Sequence, residues 1–243
     1  PEPVGISAAD KLPVFFASIP FLNGGNNNDS LIGTNDNNRI AGLSGRDTLR
    51  GLLGEDYLNG GEGDDSIFGN QGADYLDGGK GNDFIFGGEG NDLASGGLGN
   101  DHIQGNLGND TLIGNADNDT LYGNAGSDVV EGNDGNDILF GGQDADTLTG
   151  GSGTDVISGD RGNDFLTGGS GGDRFDFAVN DGADIIADFT DGQDIIGLKG
   201  GLTFNQLVVT QVGNNTQISA NQLSITLQGV TSSAIGAADF ALV

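Results

Sequence analysis

A nine-residue period runs without a break through 17 copies, from Gly24 to Asp176. The unit is Gly-Gly-x-Gly-x-Asp-x-U-x, where U is a large aliphatic residue. The copy Gly78-Gly79-Lys80-Gly81-Asn82-Asp83-Phe84-Ile85-Phe86 shows it whole. Position 1 is Gly in all 17 copies, and position 6 is Asp in 16, with Asn38 the exception. Position 4 is Gly in 13, and position 8 is Leu, Ile, Val or Phe in 16, with Ala94 the exception. A disordered chain has no need of register, so so strict a period means one small backbone unit stacked many times. Each unit carries a carboxylate at the same place.

The first six positions are rich in the turn residues Gly, Asn and Asp, and the last three suit a very short strand. A chain that turns after every three strand residues winds into a coil. Position 8 then points inward, and Leu31, Ile40, Leu49, Leu58, Ile67, Leu76, Ile85 and their successors form the core. Two repeats complete one turn, so repeats i and i+2 stack about 4.8 Å apart. The array is expected to make about eight turns and rise roughly 40 Å. Glycine at position 1 meets a need for positive φ or for very close approach of chain to chain. Asp36, Asp117 and Asp144 replace Gly at position 4 and are expected to alter those loops only slightly.

Stacking sorts the carboxylates into two rows. One holds Asp29, Asp47, Asp65, Asp83, Asp101, Asp119, Asp137, Asp155 and Asp173. The other holds Asp56, Asp74, Asp92, Asp110, Asp128, Asp146 and Asp164. Two bare charges 4.8 Å apart repel by ~0.9 kcal/mol even at the dielectric of bulk water. A thin double line of aliphatics cannot offset that along two rows while also ordering 48 glycines. The array should therefore not fold alone. A hard divalent cation between adjacent loops removes the problem, and Ca²⁺ takes six to eight oxygens of the kind that two Asp side chains and loop carbonyls supply. Up to about 15 gaps would be available, and that many ions would bring the net charge of −28 to about +2. Magnesium demands tighter octahedral geometry, and zinc lacks the His and Cys it prefers.

The rest of the composition narrows the partners. Asp accounts for 31 of the 36 acids and Glu for 5, which points to turns and metal ligands rather than a solvated helical face. Strong acidity argues against nucleic acid and anionic membrane. Cysteine is absent, which removes disulfides and thiolate metal sites. No apolar run approaches the ~20 residues of a membrane span, and no amino-terminal signal peptide is visible. The chain begins at Pro1 and contains no Met, which predicts a fragment or processed product with something upstream.

Three segments are expected. Residues 1–23 hold all four prolines and the apolar stretch Leu12-Pro13-Val14-Phe15-Phe16, and read as a linker and amino-terminal cap. Residues 24–176 are the array. Residues 177–243 lose the repeat and gain strand-like runs at Ile185–Phe189, Leu207–Val212 and Leu223–Leu227, with Gly213-Asn214-Asn215 as a hairpin turn. A short helix is expected around Ser232–Asp239.

These repeats resemble the RTX (repeats-in-toxin) nonapeptides, a pattern associated with a calcium-binding parallel β-helix. The stretch Phe189-Thr190-Asp191-Gly192-Gln193-Asp194-Ile195-Ile196-Gly197-Leu198 resembles the segment that follows the repeats in serralysin-type proteases and alginate epimerase modules. The terminus Asp239-Phe240-Ala241-Leu242-Val243 is similar to a serralysin-type secretion signal. The resemblance implies an all-β chain: a right-handed parallel β-roll with two nonapeptide repeats per turn, followed by a small non-repetitive β cap. It implies calcium as the ligand of the position-6 Asp residues. It also implies extracellular or cell-surface location, reached in an unfolded, calcium-free state by Gram-negative-type export through type I secretion machinery. No catalytic role is implied, because the relatives' catalytic residues lie in other domains. The module is expected to be non-enzymatic. It could serve a secreted hydrolase or polysaccharide epimerase through an upstream domain, or an adhesin or surface-layer protein.

Other residues stay open. His102, the only histidine, is expected at an outward strand position. Tyr57 and Tyr75 should stack on one face, and Phe68, Phe86, Tyr122 and Phe140 should also point outward. They would either meet a sugar or protein partner or pack on a neighbouring domain or the terminal segment. Asp181, Asp184, Asp188, Asp191 and Asp194 either complete further calcium sites or are loop acids. Asn at position 5 in nine copies fits an ice-binding array, but position 3 is never Thr, which excludes one.

Overall fold

The computed structural model describes residues 19–243. Of the linker and cap assigned to residues 1–23, residues 1–18, with the apolar stretch Leu12–Phe16, lie outside the described residues, and Phe21–Asn23 form the first strand. The coil opens with β1 (Phe21–Asn23) and β2 (Ser30–Ile32). Six-residue strands then recur at nine-residue intervals, from β3 (Arg39–Ser44) to β17 (Phe165–Ser170). After them come β18 (Arg174–Phe177), β19 (Gly182–Ile186), β20 (Ile195–Leu198), β21 (Val208–Val212), β22 (Asn215–Ala220), β23 (Leu223–Leu227) and β24 (Phe240–Leu242).

Through β20, odd-numbered strands lie in one sheet and even-numbered strands in the other. The chain thus crosses from sheet to sheet at every loop, and two repeats make one turn of a parallel β-roll. Each residue sits beside its counterpart 18 residues on: Tyr57 beside Tyr75, Leu58 beside Leu76, Glu62 beside Lys80. The position-8 side chains fill the narrow space between the sheets. Leu49, Leu58, Ile67, Leu76, Ile85 and Ala94 are all completely buried, and they belong to one continuous core that runs on to Ile235.

The strands are twice as long as the sequence suggests. They take in positions 7 to 9 and also positions 1 to 3, as in β5 (Tyr57–Glu62). Glycine normally signals a turn, but here two glycines sit within a strand whose ladder resumes at Gly61 beside Gly79. The true loop is only positions 4 to 6.

The coil outlasts the nonapeptides, so it has more turns than the array alone provides. β19 pairs in parallel with β17 and β20 with β18; β23 and β24 then add one more parallel strand to each sheet. The end is closed by an antiparallel meander, β22 on β23 and β21 on β22. The predicted hairpin is present, with Val212 facing Asn215 across Gly213-Asn214. The predicted helix is reduced to one 3-10 turn at Ala237–Asp239. Among the described residues, no helix is long and apolar enough to cross a membrane.

Candidate metal centre

The loops of each edge of the roll bring the position-6 Asp residues into two rows, as the spacing predicted. From Asp47 to Asp173 every one is at most 3% exposed. Asp29, on the first turn, is only partly buried. Each backbone N–H in a row donates to the Oδ1 of the Asp one turn later, at 2.7 to 3.0 Å, as in Asp65 to Asp83 and Asp83 to Asp101. The second row repeats this from Asp56 to Asp164. The carbonyl of the same Asp accepts the N–H of the position-7 residue one turn later, as in Thr48 to Asp29 at 2.9 Å. Asn38 keeps the first contact, to Asp56 at 2.7 Å, but lacks the charge.

The other carboxylate oxygen is different. From Asp47 to Asp173, every Oδ2 in both rows is buried with no hydrogen-bond partner. A buried carboxylate oxygen left unpaired is among the most costly groups a fold can hold. The cost is visible in acidity. Burial pushes every row carboxyl from Asp56 to Asp164 far above its ordinary value. The row hydrogen bond from the preceding amide partly opposes this, and in most of the rungs the charges of neighbouring Asp residues add to the rise. Asp83 rises to about 7 and Asp101 to about 8.

The donor set suits a hard cation. Among the described residues, no three His, Cys, Asp or Glu side chains form a metal-holding group. An ion in a row would therefore take two carboxylates and complete its shell from the backbone. Carbonyls are at hand: a side chain on Gly79 would collide with the Gly61 carbonyl, and one on Gly81 with the Gly63 carbonyl. Carbonyls of positions 2 and 4 thus stack along each row. Oxygen ligands alone, two of them charged, match Ca²⁺ and not zinc.

Position 1 needs glycine for space rather than for its dihedral. None of the position-1 glycines has positive φ; that conformation falls at positions 2 and 4. A Cβ on Gly78 would overlap the Asp83 carboxylate and come within 2.5 Å of the Gly96 carbonyl oxygen. Gly78→Ala is expected to destabilise the calcium-loaded chain by about 1–3 kcal/mol through overpacking. Gly236→Ala, where nothing lies within 4 Å, should stay within ~0.5 kcal/mol. Urea unfolding at saturating calcium reads both. Of the position-4 replacements, Asp117 and Asp144 adopt positive φ, 74° and 72°, so those loops keep their shape.

One ladder escaped the sequence reading. Asn at position 5 accepts, through Oδ1, the backbone N–H of position 5 one turn later. The series Asn82, Asn100, Asn118, Asn136 passes to Thr154 at 2.7 to 2.9 Å. The nine Asn residues at that position were the available signal. The outward aromatics also form a ladder: Phe68 stacks on Phe86, His102 bridges Phe86 and Tyr122, and Tyr122 stacks on Phe140. In each of the two stacked pairs one ring covers a face of the other. Beyond the array, Asp184 and Asp194 enter the two rows. Asp188 instead caps the amides of Gly168 and Gly169.

The family comparison agrees with this construction. The profile of the RTX calcium-binding nonapeptide repeat matches residues 23–58, 50–85, 59–94, 86–121, 95–130, 113–148 and 149–178. Among solved structures, the extracellular lipase LipA from Serratia marcescens is 20% identical with a TM-score of 0.35; the match covers 90% of this chain and 39% of the lipase. The AlgE6R3 subunit of the Azotobacter vinelandii mannuronan C5-epimerase is 24% identical with a TM-score of 0.33, over 59% of this chain and 80% of that one. Among curated protein sequences none matches. With two rows of buried Asp in nonapeptide register and a profile that matches well over half of its length, the chain belongs to the RTX calcium-binding nonapeptide repeat family.

Proposed function

We propose that this chain is a calcium-dependent folding module of a secreted protein. Its ligands are the row residues from Asp29 to Asp173, two per ion, with loop carbonyls completing each shell. The observation that carries this reading is the line of buried, partnerless Oδ2 atoms along both rows. A protein does not keep so many unanswered anionic oxygens unless a cation answers them. Up to about 15 ions would fit between the loops of the array. At cytosolic calcium the chain stays unfolded and passes a type I export channel. Outside the cell, millimolar calcium drives folding, because a ligand that binds only the folded state stabilises it by mass action.

In this reading residues 24–176 are the ion-binding array. Residues 177–243 close the carboxyl-terminal end, protect the strand edges there and carry the export signal. The module has no chemistry of its own. Sixteen of its Asp side chains stand in the two rows of the array, and His102 lies among outward rings with Gln104 at 2.8 Å.

Replacing Asp83 and Asp101 together by Ala tests the ligand assignment. The variant should bind fewer calcium ions per chain in equilibrium dialysis and show lower cooperativity. Wild-type stoichiometry would mean that these carboxylates hold no metal.

A further inference from the structure

The two rows end differently, and the difference lies past the last nonapeptide. In the row that contains Asp164, the segment Asp181-Gly182-Ala183-Asp184 reproduces positions 3 to 6 of an ordinary repeat. The Gly162 N–H donates to the Asp181 carbonyl at 2.7 Å, as position 4 does to position 3 elsewhere. The Ala183 N–H donates to Asn163 Oδ1 at 3.0 Å, the position-5 contact. The Asp164 N–H donates to Asp184 Oδ1 at 3.0 Å, the position-6 contact. Ile185 closes on the Asp164 carbonyl at 2.9 Å. Gly182 has a positive φ of 127°, and a side chain there would collide with the Gly162 carbonyl, as at other position-4 glycines.

The ligand signature continues too. Asp184 is 2% exposed and Asp164 1%, and the Oδ2 of each is buried without a partner. The other row stops. Asp194 also follows its predecessor, accepting the Asp173 N–H at 3.0 Å, but its Oδ2 accepts the Thr190 N–H at 2.7 Å. The side-chain amide of Gln193 donates to the Gly171 carbonyl, the stacked carbonyl an ion would need. Protein donors there occupy the Asp194 carboxylate and the Gly171 carbonyl, and the Asp173 Oδ2 is left without a partner.

We propose that the Asp164–Asp184 gap is a further calcium site, built one rung beyond the repeat array, whereas the Asp173–Asp194 gap is closed by hydrogen bonds and takes no ion. This rests on the row Asp residues being calcium ligands. The spacing of 20 residues between Asp164 and Asp184, against 18 within the array, hides the site from any nine-residue pattern. A site there ties the cap to the roll by a metal on one edge and by hydrogen bonds on the other.

Native mass spectrometry of the calcium-loaded full chain separates the possibilities. Asp184→Asn keeps an acceptor for the Asp164 amide and should bind one ion fewer than wild type. Asp194→Asn should bind the same number as wild type. If Asp184→Asn keeps the full count while the Asp83/Asp101 double Ala variant loses ions, the row ends at Asp164 and this proposal is wrong. If the double variant also keeps the full count, the ligand reading beneath it fails as well. A wild-type crystal grown in calcium gives a check that needs no variant. Anomalous difference density is expected between Asp164 and Asp184 and not between Asp173 and Asp194; the reverse would overturn the assignment.

Discussion

Chelating calcium at pH 8 should erase most of the β-sheet signal of this chain, and millimolar calcium should restore it in a cooperative step. The expectation follows from the carboxyl rows. A shift of one pKa unit corresponds to about 1.4 kcal/mol. One unit for each of the 13 row carboxyls from Asp56 to Asp164 would already amount to on the order of 20 kcal/mol, against the ~5–15 kcal/mol that holds a typical domain together. The shifts at Asp83, Asp101 and Asp119 are larger than one unit. The core cannot absorb that, since it is one aliphatic residue per repeat, from Leu49 to Leu166. Each ion shared between adjacent loops removes the penalty of two carboxylates and joins two turns, so binding at one gap prepares the next. Far-UV circular dichroism during a calcium titration, started from chelator, measures this. Full β signal in chelator at pH 8 would refute the dependence.

Acid should partly replace the metal. A row carboxyl has an ordinary value of 3.8 and a folded, metal-free value of about 7 at Asp56 and Asp83 and about 8 at Asp101 and Asp119. The rise comes mainly from burial. Between those limits the unfolded chain is ionised while the fold still holds its protons. The fold thus binds more protons than the unfolded chain, and stability falls as pH rises. The metal-free fold is penalised least below 3.8 and most above about 8. In chelator, the chain at pH 5 should therefore show more β signal and a higher thermal midpoint than at pH 8. With saturating calcium the order should reverse, because protons and metal compete for the same oxygens. Equal signal at both pH values in chelator would show that the rows are not what keeps the apo chain open.

Much of this was legible because the period is strict. The two Asp rows, the stacking of repeat i on i+2, the position-8 core and the Gly213 hairpin follow from spacing and side-chain chemistry. Strand length did not. Gly60 and Gly61 look like turn residues, yet they lie within β5, where the partner 18 residues away supplies the ladder that intrinsic propensity does not favour. The reason for glycine at position 1 was open between dihedral and space. Only the placement of Asp83 against Gly78 decides it. Asp184 and Asp194 were visible as acids but not as row members. Insertions ahead of them move them 20 and 21 residues from their neighbours, and a fixed register cannot follow an insertion.

The row hydrogen bonds also give the coil a sense of travel. Each Asp amide is answered by a carboxylate from the turn that follows it in sequence, as Asp47 is by Asp65 and Asp65 by Asp83. A coil that grows from its carboxyl-terminal end adds a turn whose amide finds its acceptor already in place. Growth from the other end buries each new amide before its acceptor arrives. The exposed Asn ladder and the position-7 amides, such as Thr48 on the Asp29 carbonyl, run the opposite way. The buried carboxylate contacts thus point from the meander of β21 to β23 toward Phe21, while the backbone bonds between turns run both ways.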